Sequence, residues 1–177
     1  MGLDSVVLLE LFADRYERGI GFDINHPMLT YARGKLDVAG IDKATVRHGD
    51  IYDVALADGS ADAVVMHQVL HFLAEPALAV SEAARILAPG GRLVIVDFAP
   101  HGMEFLREKF AHERLGFAEA QVSQWMAENG LIPEPTRSLL PDAAHDDGKL
   151  GVTIWIARRP EAAKSPRLLD QRSEVDA

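Results

Sequence analysis

The chain has 177 residues, 48% of them hydrophobic, which is enough apolar surface for one domain with a substantial core. A formal net charge of -9 argues against a large phosphate-binding surface, so direct nucleic-acid binding is not expected. The chain has no cysteine, hence no disulfide framework, thiolate metal site or thiol nucleophile, and no apolar run approaches the roughly 20 residues of a membrane span. The start also lacks a basic stretch followed by an apolar core, so a cytoplasmic location is the default expectation.

Taken in chain order, apolar periodicity alternates between helix-like and strand-like, the signature of an α/β domain with a mainly parallel sheet. Leu8, Leu11 and Phe12 share a face of a first helix. Ile20 and Phe22 form a short strand that closes on Asp23, and Leu29, Ala32 and Leu36 mark a second helix with Asn25 as N-cap and Gly40 at its end. Ala44 to Arg47 reads as a strand ending on His48, Gly49 and Asp50, and Ala61 to Met66 as a continuous apolar strand ending at His67. Val80, Ala83, Ala84 and Leu87 make a helix face, Pro89, Gly90 and Gly91 stop that helix, and Leu93 to Val96 is the most strand-like run, closed by Asp97. His101 to Arg114 predicts an amphipathic helix around Phe105, Leu106 and Phe110. A further helix over Glu119 to Glu128 buries Val122, Trp125 and Met126 and is capped by Gly130. Ile132 to Ser138 and Val152 to Ala157, separated by the polar DAAHDDGK stretch, predict a closing antiparallel pair. The domain is thus expected to span residues 1–158, with 159–177 as a polar, disordered tail.

In an open α/β sheet, ligands bind beyond the carboxyl ends of the strands, and three such ends here carry polar residues: Asp23, Asp50 and His67. An ionised carboxylate is acceptor-only and its two oxygens match a vicinal diol, so Asp23 can hold a ribose; its plainer role is to cap the next helix. Gly49 lets backbone approach a flat ligand, Asp50 can accept from an exocyclic amine, and Ile51 offers an amide and an apolar wall; Gly-Asp is also a common turn pair. His67 and His71 stand at i, i+4, but HQVLH lacks the glutamate of the zinc protease motif and a third ligand, so no metal is expected. No serine sits in a glycine-flanked elbow, which leaves a hydrolase triad unsupported.

The order GFDIN, then a Pro-Met-Leu helix, HGDIYD, DAVVMHQVLHFL and EAARILAPGGRLVIVDF resembles the class I S-adenosylmethionine-dependent methyltransferases of the small-molecule, methyltransferase-11-like type, from about Leu8 to Arg158. DFAPHG and AHERLGF look like the methyltransferase domains fused behind ArsR-type winged-helix repressors. The resemblance implies a Rossmann-like, three-layer α/β/α fold with a seven-stranded, mainly parallel sheet and one antiparallel strand. It implies S-adenosylmethionine as cofactor, a small-molecule methyl acceptor as partner and a possible homodimer. By position, Asp23 binds the ribose diol, Ile24 flanks the adenine, Asp50 and Ile51 contact the adenine edge, and His67 lies beside the methionine moiety. His101, His112 and Arg114 fall where related enzymes form an acceptor lid, and His67, His101 and His112 are the candidate bases.

The departure lies at the start. A glycine-rich loop is expected roughly 20 residues before the ribose acid, which places the loop and the first strand at or before Met1. Gly2 falls on the loop's first glycine, making it a cofactor-binding candidate, whereas Asp4 and Val6 fall on the other two. Codons exist for this stretch that spell the family loop in a shifted frame, so a truncation or frame error is the expectation, with a missing central strand that exposes its neighbours' backbone groups and impairs folding. Two other classes compete: a non-catalytic ligand-sensing module on a degenerate methyltransferase fold, and a nicotinamide-dependent dehydrogenase, which needs a GxGxxG loop that this chain lacks. The acceptor itself is not readable, although trivalent arsenic, which such enzymes hold with thiolates, is not expected.

Overall fold

Short stretches of alternating or continuous apolar residues become the ladders that position the site. The computed structural model describes residues 3–139 and 150–162, and within the first helix the side chains of residues 3–5 are not described. Gly2, the DAAHDDGK stretch and residues 163–177 of the expected tail lie outside the described residues.

Helix α1 (Leu3–Leu11) leads into β1 (Gly19–Asp23), α2 (His26–Val38) and β2 (Ala44–His48). β1 and β2 pair in parallel, Gly19 opposite Ala44 through Asp23 opposite His48. α2 is set by its sequence. Asn25 accepts from the Met28 amide at 3.1 Å, Pro27 occupies the first turn where its missing N–H costs nothing, and Leu29, Ala32 and Leu36 are buried.

β3 (Ala61–His67) pairs in parallel with β4 (Leu87–Phe98), joined through α3 (Pro76–Ile86). The helix ends at Ile86, and Leu87 already belongs to the strand. Pro89-Gly90-Gly91, expected as a helix stop, instead forms an irregularity inside β4, where the register jumps from Ala61–Leu87 to Ala63–Arg92. Gly90 takes φ +81° there. The long amphipathic helix expected over His101 to Arg114 shrinks to α4 (Phe105–Phe110). Its flanks are irregular because their backbone groups bond to β4 and to the turn after β3 instead of to a helix. α5 (Glu119–Glu128) is followed by β5 (Ile132–Pro133) and β6 (Arg137–Leu139), both antiparallel to β7 (Val152–Arg158), which itself runs antiparallel to β4.

The strands are mostly parallel with β7 reversed, a Rossmann-like arrangement, but the ladders form two groups: β1 with β2, and β3, β4, β7 and β5 in order with β6 on β7. Among the described residues β1 has one ladder partner and β3 has one, so each leaves an edge unpaired. The core divides the same way. Val6, Leu29, Ala32, Leu36, Ala44 and Val46 form one cluster; a larger one gathers α3, α5 and the second group of strands around Leu93, Ile95 and Trp155. β3 shows the consequence: Val65, in a run whose apolar continuity signals burial on both faces, is 47% exposed.

Candidate functional site

The carboxyl ends of β1 and β2 are tied by a hydrogen bond from the Gly49 amide to the Asp23 carbonyl at 3.3 Å. Asp23, half-buried, accepts from the Asn25 amide on Oδ1 at 2.8 Å. Asn25, not Asp23, caps α2, so the plainer role for this acid is already filled, and among the described residues its Oδ2 has no hydrogen-bond partner. Ile24 beside it stands in the open, 69% exposed. Gly49 is needed for a different close approach from the one anticipated: a Cβ there would meet the Phe22 ring at 2.8 Å. Asp50 is exposed and spends Oδ1 on the Tyr52 amide at 3.0 Å, whereas Ile51 is half-buried against the larger core. His26 and His48, which sequence reasoning did not single out, stack here with ring centroids 4.5 Å apart and planes 7° from parallel.

At the other end of the site, His67 closes β3 opposite Val96. The chain turns at Gln68, whose left-handed φ of +47° is held by its amide bonding to the Val96 carbonyl at 2.7 Å. A 3₁₀ turn over Leu70–Phe72 follows, in place of the α-turn that would have stacked His71 on His67. It swings His71 inward. Its Nδ1 lies 2.8 Å from Oδ1 of Asp97, the acid that ends the apolar run of β4, and both residues are almost fully buried. Asp97 also accepts from the Leu70 amide at 2.9 Å and the Phe98 amide at 2.7 Å. A carboxylate taken out of water this completely needs such a set of donors.

Two of the anticipated lid residues converge on this dyad. The His112 ring centroid is 4.3 Å from that of His71, with Phe72 at 3.9 Å and Phe98 at 4.7 Å. His101 meets Phe98 edge to face, with ring centroids 6.0 Å apart. Burial holds both His112 and His101 below the usual imidazole range, and mutual repulsion with the neighbouring histidines adds to the depression. Buried ring nitrogens of both, Nε2 of His101 and Nδ1 of His112, have no hydrogen-bond partner among the described residues. The amides of Glu113 and Arg114 donate to the His71 carbonyl at 2.9 and 3.1 Å, which lays this segment over the dyad. Arg114 itself reaches the Ala74 carbonyl at 2.8 Å, a structural bond. No group of three His, Asp or Glu among the described residues is arranged to hold a metal ion.

Sequence reasoning passed over the His71–Asp97 pair. The signal was present, since Asp97 closes an apolar strand as Asp23 does, but the partner of a strand-end acid depends on which loop folds over it.

Comparison with known proteins agrees with this fold. A family model described as a methyltransferase domain matches residues 1–95. A Mycolicibacterium smegmatis protein named "Probable S-adenosylmethionine-dependent methyltransferase" is 34% identical over 156 residues, 84% of this chain and 58% of that protein. A demethylmenaquinone methyltransferase of Thermus thermophilus is 36% identical over 81 residues, 46% of this chain and 36% of its own. The chain spans about half the length of curated relatives it matches, 49% of a Streptomyces fradiae transposon protein and 58% of the Mycolicibacterium smegmatis one. A SAM-dependent methyltransferase of Methanosarcina mazei superposes with a TM-score of 0.69 over 88% of this chain and 87% of its own, at 18% identity, a likeness of fold. With an acid-closed β1 set beside Gly49-Asp50 on a Rossmann-like sheet and a matching family model over more than half its length, the chain belongs to the methyltransferase-domain family of class I S-adenosylmethionine-dependent methyltransferases.

Proposed function

We propose that the chain binds S-adenosylmethionine across the carboxyl ends of β1, β2 and β3 and methylates a small-molecule acceptor in the cytoplasm. The observation that carries this reading is Asp23, a strand-end carboxylate relieved of helix capping by Asn25 and left with one oxygen unspent. The residues around it fit the adenosine half of the cofactor. Asp23 would hold the ribose diol, exposed Ile24 and half-buried Ile51 would flank the adenine, and Asp50, also with an oxygen to spare, would accept from its amine. Gly49 makes room for the Phe22 ring packed against it, and His67 would stand by the methionine end.

When bound, the cofactor supplies an activated methyl group on a sulfonium. The residues here orient the donor and acceptor in line and exclude water, which is where most of the acceleration in such a transfer arises. No helix among the described residues is long and apolar enough to cross a membrane. The acceptor is a diffusible small molecule, in keeping with the net charge of -9.

Calorimetric titration with S-adenosylhomocysteine tests the reading. A hydrogen-bonded charged group is worth about 1.5–3 kcal/mol, so Asp23→Ala is expected to weaken binding by roughly ten- to a hundredfold. Unchanged affinity in that variant removes the basis for the assignment.

A further inference from the structure

We propose that His101 is an acceptor-binding residue whose Nε2–H donates to a neutral carbonyl oxygen on the methyl acceptor, so that the acceptors of this chain are carbonyl compounds. This rests on the methyl-transfer reading above. The tautomer of His101 follows from the turn that the residue itself makes. The Met103 amide donates to its Nδ1 at 3.3 Å, and its own amide donates to the Leu115 carbonyl at 3.0 Å, so ring and backbone are both held. A ring nitrogen that accepts carries no proton, and the single proton of a neutral imidazole then lies on Nε2. Burial keeps the ring neutral, with repulsion from His71 and Arg107 acting in the same direction. Nε2 is buried and has no hydrogen-bond partner among the described residues. A buried donor left unpaired costs free energy that a ligand oxygen recovers.

The neighbouring groups select the kind of oxygen. His112 stacks on the same Phe98 ring at 14° with centroids 5.8 Å apart, its Nδ1 is likewise buried without a partner among the described residues, and burial keeps it neutral too. Nearby charges are already matched: Arg107 pairs with Glu104 at 3.2 Å, and His71 with the buried Asp97. A carboxylate or phosphate would therefore enter as an anion with nothing to balance it, whereas a carbonyl oxygen needs only a donor. Nδ1 of His112 can donate to the same group or accept from a hydroxyl beside it. Phe72 and Phe98, both packed on His112, give the apolar body of such an acceptor a surface to lie against. Because Nε2 of His101 is closed to water, the acceptor enters as α4 swings outward between Gly102, where a Cβ would meet nothing, and Ala111, strained at a left-handed φ of +56°.

The test titrates the wild-type chain, saturated with S-adenosylhomocysteine, with 2-acetylnaphthalene, with the hydrocarbon of similar shape 2-isopropylnaphthalene, and with 2-naphthoate. The ketone is expected to bind about tenfold more tightly than the hydrocarbon, and the carboxylate no better than the hydrocarbon. With 13C at its carbonyl, the bound ketone should show an infrared stretch below the position it has in an aprotic solvent. His101→Phe is expected to bring ketone and hydrocarbon to equal affinity and to return the stretch to the aprotic position, with S-adenosylhomocysteine affinity unchanged. Because a variant at a half-buried position can fail to fold, the wild-type chain labelled with 15N-histidine gives a second readout: His101 should show a protonated Nε2 and an unprotonated Nδ1, and the Nε2-bound proton should move downfield on adding the ketone. Equal affinity of the wild-type chain for ketone and hydrocarbon, a ketone preference that survives in His101→Phe, a proton found on Nδ1, or tighter binding of 2-naphthoate than of the ketone each overturns the proposal while leaving cofactor binding intact. Failure of the wild-type chain to bind S-adenosylhomocysteine overturns the methyl-transfer reading, and the proposal with it.

Discussion

Two aspartates stand at the carboxyl ends of apolar strand runs, Asp23 at the end of β1 and Asp97 one residue before the end of β4, and meet opposite fates. Asp97 is fully buried and accepts from two amides and an imidazole; Asp23 is half-buried and accepts from one amide. Replacing Asp97 with alanine strands three donors, two of them buried, so a loss of about 3–5 kcal/mol is expected. Asp23→Ala should cost under about 1 kcal/mol, and urea denaturation midpoints of the two variants measure the contrast. Titration at His101 and His112 gives a pH dependence of definite sign. Both bind protons less readily folded than unfolded, so the unfolded chain takes up more protons as the pH falls through about 6.5, the ordinary imidazole value. Stability is therefore expected to be fully present above that pH and to fall below it, with a shallower fall in His112→Phe; thermal melts across the range check this. In sequence both acids read alike, as a carboxylate after an apolar run, because nothing local to Asp97 shows that His71 will lie over it.

At the scale of elements, the connections carry as much organisation as the strands. Glu82 of α3 is buried, accepts from the Val54 amide at 2.7 Å and pairs with Arg85, whose guanidinium also bonds the Val54 and Leu56 carbonyls and Asp58. That pairing holds the Glu82 carboxyl below the usual range and pins the loop between β2 and β3 to the helix. The return of the α4 segment to β4 depends on Gly116, at φ +83°, where a Cβ would run into the Ala99 carbonyl. Gly116→Ala is expected to destabilise the fold by about 3 kcal/mol and to loosen the His112 contact with His71, measurable as faster amide exchange at Glu113 and Arg114. Periodicity located α2 and α5 well because their buried faces are intrinsic to their sequences. It overestimated α4, since the backbone bonds that interrupt it, from His101 to Leu115 and from Phe117 to Phe98, are tertiary.

For the whole molecule, the division into two ladders and two apolar clusters is the dominant physical fact. Parallel sheets are normally buried and continuous, yet among the described residues β1 and β3 each keep one unpaired edge, and Val65 stands half in water. Cooperativity follows shared burial, so the β1, β2 and α2 unit should open independently of the larger cluster. Native-state hydrogen exchange is expected to give lower protection free energies for Gly21 and Val46 than for Leu93 and Ile95. Equal values in both clusters would show that the two behave as one cooperative body.

Sequence by itself determined the order of helices and strands, the Asn25 cap, the acid at the end of β1 and the family, because each is written in spacing and side-chain type along a short stretch of chain. Tertiary structure alone decided that Phe22 takes the space left by Gly49 and that His71 and His112 gather beside Asp97. Those contacts join residues up to 41 positions apart, from His71 to His112, and depend on how loops return over strand ends, which no local pattern encodes.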